Sequence, residues 1–189
     1  EIERTGQPVG PVEFDMQRAD GEPIRILAST FAIPGDAGQP LFVCMDVDIT
    51  QRRRAEQALR DNELKLETIF HASPAPMSVS DARQSYRVIS VNRAWEELYQ
   101  RSRAEVLGRN GQEFGIWAES SDRLRYLQQL EADGRVDGFE TWCLDGRGRS
   151  ILCRLSALIT DIGDERLVLM MTVDITEQRR IERELQQLN

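Results

Sequence analysis

The chain has few of the residues that most often build a chemical site. Its 189 residues include one histidine, three cysteines and 6% aromatic residues. An odd number of unclustered cysteines gives no disulfide framework and is typical of a reducing compartment. The sequence also lacks a glycine-rich phosphate loop and a clustered carboxylate motif. We therefore predict that this part of the protein is not catalytic.

Long hydrophobic runs and an excess of basic residues are absent as well. The longest apolar run, at about residues 167–173, is far too short to cross a membrane. A formal net charge of −8 argues against a nucleic-acid surface. We expect a cytoplasmic location, with no nucleic-acid partner and no membrane contact in this stretch. Because the sequence begins with Glu1, we also expect a fragment of a longer protein, which could be anchored in a membrane elsewhere.

A repeated junction is the most informative feature that the chain does have. Residues 43–54 and 169–180 both run from apolar, strand-like residues through Asp-Ile-Thr into a charged helical segment. The carboxylates of Asp48 and Asp174 can accept hydrogen bonds from free backbone N–H groups at a helix start. Thr50 and Thr176 could cap the same helices instead, and the sequence leaves that choice open. Two copies with the same flanks indicate an internal repeat.

The part of the chain before the first helix is predicted to be all strand. Residues 12–18, 24–33 and 41–47 form three predicted strands, with the second turn at 34–38. The helix that follows has apolar positions four and three residues apart, which predicts a short dimerising coiled-coil seam. A solvated connecting helix is the alternative. The predicted seam consists of Ala55, Leu59, Asn62, Leu66 and Ile69.

The part of the chain before the second junction is longer and mixes strands with helices. In its longest predicted helix, Leu124, Leu127 and Leu130 are expected to face inward. The last strands repeat residues 12–47 in order and length. The predicted strands are 77–82, 86–91, 136–144, 149–160 and 166–173, and the predicted helices are 93–100, 103–107, 121–133 and 177–189.

This order of elements resembles the PAS/PAC sensory box of bacterial sensor histidine kinases and diguanylate cyclases. The resemblance rests on Ser-Val-Asn-Arg-Ala-Trp at 90–95, Ser-Arg-Ala-Glu-Val-Leu-Gly at 102–108, Leu-Asp-Gly at 144–146 and Asp-Ile-Thr at 174–176. It implies an α+β protein with a five-stranded antiparallel sheet, helices on one face and coiled-coil-like linker helices on either side. The implied domains are the C-terminal three strands of a preceding PAS domain at 1–50, a linker helix at 51–70, a complete PAS domain at 71–175 and an output linker helix at 176–189.

Members of this family can hold a small ligand between the sheet and the helices, so the resemblance also implies a pocket. Ordinary core packing is the default for the aromatic candidates Trp95, Trp117, Tyr126 and Trp142. A second set of residues is expected to relay a signal at the two junctions, namely Asp48, Thr50, Asp174, Ile175 and Thr176. The pocket candidates are Met77, Val79, Trp95, Tyr99, Trp117, Tyr126, Trp142, Cys153, Leu155, Ala157, Val168, Met170 and Thr172.

The sequence does not identify a cofactor. His71 precedes the first strand, whereas the haem ligand of the family lies on a helix, so haem is disfavoured. The stretch 109–115 has no cysteine where light-sensing relatives carry one, which disfavours photochemical flavin but leaves non-covalent flavin open. Cys143 and Cys153 lie on neighbouring predicted strands. If the turn is symmetric about Gly146 and Arg147 they face opposite sides, and a shift of one residue would bring them together.

The resemblance implies a sensory and signal-relay module of a multidomain bacterial signalling protein. The whole protein would be a histidine kinase or a diguanylate cyclase, and this stretch a homodimer through its linker helices and sheet. A small molecule or a partner would be the signal. The alternatives are a dimerising spacer without a ligand, and a redox or gas sensor that holds haem or flavin. We also expect the half domain at 1–50 to be covered by a second copy or by the linker helix.

Overall fold

The computed structural model describes residues 9–35 and 39–187. The chain divides into two compact units, the first ending at Lys65 and the second beginning at Leu66. Predictions that fall on residues 1–8, 36–38 and 188–189, among them the tip of the turn at 34–38 and the end of the last helix, lie outside the described residues. No helix among the described residues is both long enough and apolar enough to span a membrane.

The first unit is a three-stranded antiparallel sheet that leads into a helix. Its elements are β1 (Val9–Gln17), β2 (Pro23–Pro34), β3 (Pro40–Asp48) and the start of α1 (Thr50–Ala72). The strands lie in the order β1-β2-β3. Within the described part of this unit, Ile26 and Ile49 are the buried apolar side chains. Large apolar side chains are exposed along the strands, at Val12, Phe14, Met16, Ile33, Leu41, Phe42, Met45 and Val47.

The second unit is a five-stranded antiparallel sheet. Counted along the chain, helices lie between the second and third strands of this unit. Its strand order is β5-β4-β8-β7-β6, so the first and last strands of the chain segment are neighbours at the centre. The α+β class and the five-stranded antiparallel sheet agree with the prediction. The elements are β4 (Met77–Asp81), β5 (Arg87–Val91), α2 (Arg93–Tyr99), α3 (Arg103–Val106), α4 (Ser120–Asp133), β6 (Arg135–Leu144), β7 (Ser150–Ile162), β8 (Glu165–Asp174) and α5 (Thr176–Gln187).

The core lies between this sheet and its helices. Alternate residues of β7, beginning at Ile151, are buried in it, as period-two alternation in a strand with one covered face requires. Val168 and Thr172 of β8 are buried as well, while Met171 and Val173 are exposed on the outer face. The candidates Cys153, Leu155, Ala157, Val168 and Thr172 therefore all lie in the core.

The inward face of α4 differs from the prediction at one position. Leu127 packs against the core and Leu130 is buried, but Leu124 is 58% exposed and its predicted inward position is wrong. Tyr126 and Leu130 define the buried side, and Arg123 lies three residues before Tyr126 on that side. An apolar pattern alone selected the leucine because it gave no reason to place an arginine inside.

The turn between β6 and β7 also differs from the prediction. Asp145 accepts hydrogen bonds from the backbone N–H groups of Arg147 (2.9 Å) and Arg149 (2.8 Å), which closes a loop over residues 145–149. The register therefore shifts by one, and Cys143 pairs with Ile151. Cys143 and Cys153 consequently lie on the same face, and the prediction that they face opposite sides is wrong.

Candidate functional site

A small cavity lies between the sheet and the helices of the second unit. Its volume is about 70 Å³. Several of the predicted pocket residues line it: Trp95, Tyr99, Trp117, Tyr126, Leu155, Val168 and Met170. The lining residues that the sequence reasoning missed are Ser78, Ser80, Tyr86, Val88, Gly111, Phe114, Ile116, Arg123, Leu127 and Cys143.

Strand β4 presents its serines to the cavity and its apolar residues to the outer face. Ser78 and Ser80 line the cavity, so Met77 and Val79 point away from it. Val79 pairs with Leu169, which is exposed on the outer face. The predicted pocket roles of Met77 and Val79 are wrong. The alternation itself was visible in the sequence, but a sheet that is apolar on both faces gives no signal of which face is inside.

Trp142 also lies outside the cavity. It is 42% exposed on the outer face of β6, because its inward neighbours Thr141 and Cys143 are buried instead. Its predicted pocket role is wrong. Three other candidates, Cys153, Ala157 and Thr172, are buried in the core but do not line the cavity.

The buried thiols meet a tyrosine at the edge of the cavity. The Tyr99 hydroxyl lies 3.2 Å from the Thr172 hydroxyl, 3.8 Å from the Cys153 sulfur and 4.0 Å from the Cys143 sulfur. Burial raises the pKa of Tyr99 well above its usual value. Contact with the Cys153 thiol, together with burial, raises the pKa of Cys143. Because the thiolate is the reactive form of cysteine, this environment favours small apolar core residues over nucleophiles.

Three polar side chains that line the cavity differ in their hydrogen bonding. Trp95 is 1% exposed, and its indole N–H has no hydrogen-bond partner in the described part of the chain. Arg123 has no ion pair or hydrogen bond with any described residue, and burial lowers the pKa of its guanidinium. Tyr86 is different, because its hydroxyl donates to Glu131; burial and this carboxylate raise the pKa of Tyr86 to about 12.

The two junctions share one set of hydrogen bonds, each described within its own unit. In the first, Asp48 Oδ1 accepts from the Thr50 N–H at 2.9 Å, and the Thr50 hydroxyl accepts from the Arg25 N–H at 2.8 Å. In the second, Asp174 Oδ1 accepts from the Thr176 N–H at 2.9 Å, and the Thr176 hydroxyl accepts from the Leu152 N–H at 2.8 Å. Aspartate is thus the helix cap, and threonine ties the helix start to the neighbouring strand.

The isoleucine between the two junction residues strengthens this attachment. The Ile175 N–H donates to the Leu152 carbonyl at 2.8 Å, and its side chain is fully buried. Ile49 makes the matching 2.8 Å bond to the Arg25 carbonyl. The first turn of α5 is therefore an extension of the hydrogen-bonded ladder of β7, and the first turn of α1 is attached to β2 in the same way.

A glutamate on the first strand of each three-strand set reaches the following helix. Glu140 of β6 accepts from Arg179 of α5 at 2.6 Å and from Arg154 of β7 at 3.0 Å. These two hydrogen bonds, that to Arg179 first, lower the pKa of Glu140. Glu13 of β1 is paired in a similar way with Arg53 of α1 and Arg25 of β2. Sequence reasoning missed both pairs, because a glutamate on a strand is usually only a solvated residue.

The start of the second unit is held by Asn92, which caps α2. Its side-chain oxygen accepts from the Trp95 N–H at 3.0 Å and the Met77 N–H at 2.9 Å. Its amide nitrogen donates to the Ala75 carbonyl at 2.7 Å and to the Phe70 carbonyl at 3.1 Å. The end of α1, the turn before β4 and the start of α2 therefore meet at one buried side chain.

Haem and flavin do not fit this cavity. Sites for ligands of that size occupy roughly 300–1,000 Å³, several times the volume found. His71 lies near the end of α1, beside the Phe70 ring, and is not among the lining residues. Within the described residues, no group of three or more histidine, cysteine, aspartate or glutamate side chains could hold a metal ion.

Comparisons with known proteins agree with this architecture. The family model for the PAS domain matches residues 74–177. The PAS domain of an HTR-like protein from Haloarcula marismortui is 26% identical, with 65% of this chain and 99% of that one covered and a TM-score of 0.55. The structure of an RNA-binding light-oxygen-voltage receptor is 15% identical, with 99% of this chain and 84% of that one covered and a TM-score of 0.56.

A third solved structure, the PAS domain of a two-component sensor histidine kinase, is 16% identical. The match covers 61% of this chain and 98% of that one, with a TM-score of 0.52. A search of curated proteins finds no match. The five-stranded sheet, its strand order and the match over residues 74–177 give one answer: this chain belongs to the PAS domain family of sensory domains.

Proposed function

We propose that the chain is a sensory and signal-relay module of a multidomain bacterial signalling protein. The observation that carries this proposal is the duplicated attachment of a helix to a strand through Asp, Ile and Thr. At the second junction the helix start is bonded to β7, and β7 also supplies Leu155 to the cavity wall. A change in the shape of the cavity can therefore reach α5 through β7 and the hydrogen bonds between β7 and the helix start.

The relay is an equilibrium between two arrangements of the sheet against its helices. A ligand or partner shifts that equilibrium only by the difference of its affinities for the two states. Movement of β7 would displace the Leu152 amide and carbonyl, to which Thr176 and Ile175 are bonded. The first turn of α5 would then tilt or rotate. By the family resemblance, the output of the whole protein would be a histidine kinase or a diguanylate cyclase.

The test is the Asp174→Ala variant of the whole protein, with its output activity measured with and without stimulus. We expect the response to fall at least fivefold, because the helix start loses its cap, while the free energy of unfolding falls by about 1 kcal/mol. Asp161→Ala is the matched control, since Asp161 is an exposed aspartate on the same sheet. An unchanged response in the Asp174→Ala protein would overturn the relay role of this residue.

A homodimer is part of the proposal, because the described surfaces leave apolar residues uncovered. Leu59, Leu66 and Ile69 of the predicted seam are each more than half exposed. The outer face of the five-stranded sheet also exposes Leu158, Leu169, Met171 and Val173. Light scattering should give twice the mass of one chain, and Leu66→Glu should lower it. A monomer at all concentrations would contradict the dimer.

A dimerising spacer without a ligand is the second candidate, and the small cavity favours it. A volume of about 70 Å³ is well below the range of typical ligand sites. The two candidates predict different behaviour for Val168→Phe, which fills the cavity with a larger side chain. A sensor would lose its response to stimulus, whereas a spacer would keep its output and its dimer unchanged.

A further inference from the structure

The cavity combines a cation with several donors that have no acceptor. Arg123 is the charged side chain of its lining, and neither an ion pair nor a hydrogen bond of Arg123 is found among the described residues. The indole N–H of Trp95 is buried and unpaired. Leaving such a donor without a partner costs free energy, since it has lost its water and gained nothing in return. A complementary ligand must therefore bring acceptor atoms.

Three hydroxyl groups extend this donor surface. Ser78 is buried, and its hydroxyl has no hydrogen bond with any residue that the structure describes. The hydroxyls of Ser80 and Tyr126 likewise lack a described partner. No lining residue is an aspartate or a glutamate. The cavity therefore has a positive group and no negative one, which favours an anion.

The remaining residues of the cavity wall favour one kind of anion over another. Leu155, Val168, Met170, Val88 and Phe114 are apolar. Sulfate and phosphate are polar on every side and would leave acceptor atoms against this apolar wall without donors. A carboxylate with a short alkyl group has one polar and one apolar end, which suits a lining that contains both polar and apolar side chains.

The volume limits the length of that alkyl group. A cavity of ~150 Å³ holds benzene, which has six carbon atoms. The cavity found here, about 70 Å³, has about half that space. It is therefore suited to about three or four non-hydrogen atoms, the size of formate or acetate.

We propose that the cavity of this PAS domain binds a short-chain monocarboxylate of acetate size, with its carboxylate on the guanidinium of Arg123. Trp95, Ser78 and Tyr126 line the same cavity and can add neutral donors. This proposal rests on the proposed sensory function, for which it names the class of ligand.

The experiment is a titration of the chain with sodium acetate at constant ionic strength, followed by the indole N–H resonances in nitrogen–proton NMR spectra. The limit on binding energy per non-hydrogen atom means that acetate, with four such atoms, can bind with a Kd no lower than roughly 40 µM. We expect saturable movement of the Trp95 indole signal. Arg123→Gln should weaken binding at least tenfold, because a charge-assisted hydrogen bond is lost.

Arg125→Gln is the matched control. Arg125 lies two residues along the same helix, and it is an exposed arginine already paired with Asp122. Binding should stay within about twofold. Arg123→Lys keeps the charge and should retain most of the affinity, and Trp95→Phe, which keeps an aromatic ring without the N–H, should weaken binding severalfold. These two variants test the site even if Arg123→Gln does not fold.

Three results would overturn the proposal. The first is an equal response to sodium chloride, or no response, which would mean that the cavity holds only water. The second is tighter binding of sulfate or phosphate, which would make it a site for inorganic anions. The third is unchanged acetate affinity in the Arg123→Gln and Trp95→Phe proteins. Acetate binding without any change in output of the whole protein would instead contradict the sensory function.

Discussion

At the scale of single residues, Asp145 shows how one buried carboxylate sets a register. Its side chain is fully buried and accepts from two backbone N–H groups and from the Arg149 guanidinium at 3.0 Å. The next residue must be glycine, because a Cβ on Gly146 would lie 2.2 Å from the Gln100 carbonyl oxygen. These two residues fix where β6 ends, and hence that Cys143 and Cys153 share a face.

The first prediction concerns the stability that Asp145 contributes. Burial opposes the charge, yet the hydrogen bonds from Arg149 and Arg147 hold the pKa of Asp145 below its ordinary 3.8. Its stabilisation is therefore complete above the unfolded-state pKa and is lost as the pH falls through the lower folded-state pKa. Asp145→Asn should lower the free energy of unfolding by about 1–3 kcal/mol at pH 7. That difference should shrink below pH ~4.

Urea unfolding at several pH values measures this difference. The control is Asp137→Asn, which changes an exposed carboxylate of β6 and should alter stability by no more than about 0.5 kcal/mol. A gap between the wild type and Asp145→Asn that stays constant from pH 7 to pH 3 would contradict the role of the charge.

The cavity shows what residue patterns can and cannot predict. The aromatic candidates Trp95, Tyr99 and Tyr126 were found because large apolar residues at helical spacing are usually inside. Arg123 and Ser78 were missed for the same reason, since a pattern of hydrophobicity assigns polar residues to solvent. A polar residue inside is recognisable only when the three-dimensional fold shows that it lines a space.

At the scale of elements, the strands and helices were predictable and their partners were not. Period-two alternation marked β7, and Asp-Ile-Thr marked the start of α5. The sequence could not choose between Asp174 and Thr176 as the cap, because both can accept a hydrogen bond. The choice depends on β7, a neighbour that is distant in the sequence: its Leu152 amide occupies the threonine hydroxyl.

The second prediction tests this attachment of α5 to β7. Thr176→Val keeps the side-chain shape but removes the acceptor of the Leu152 N–H, so we expect a loss of about 1–3 kcal/mol. Hydrogen exchange should accelerate at Leu152 and in the first turn of α5. Thr160→Val, also on β7, is the control, because no hydrogen bond of its hydroxyl occurs among the described residues. Equal exchange in the two variants would contradict the attachment.

At the scale of the whole molecule, burial is unequal between the two units. The hydrophobic core cluster consists of residues between Val88 and Val168, all in the second unit. The first unit has a three-stranded sheet with exposed apolar side chains, and such a sheet is at best marginally stable alone. The sequence suggested this inequality, because three strands without a core helix cannot cover their own apolar residues.

The third prediction follows from this unequal burial. Residues 66–189 produced alone should unfold in one cooperative urea transition, close to the main transition of the whole chain, because they contain the complete core cluster. Residues 1–65 alone should show no such transition at low concentration, and structure should increase with concentration if a second copy covers the sheet. Cooperative unfolding of a monomeric 1–65 would contradict this.

The two junctions have a practical consequence, because their shared bonds need only an aspartate, a threonine and backbone groups. Whatever sequence follows the threonine does not take part in those bonds. A helix with a different surface could therefore follow the same junction, and a designed fusion that keeps Asp-Ile-Thr and the arginine three residues after the threonine should accept a foreign helix without redesign of the sheet.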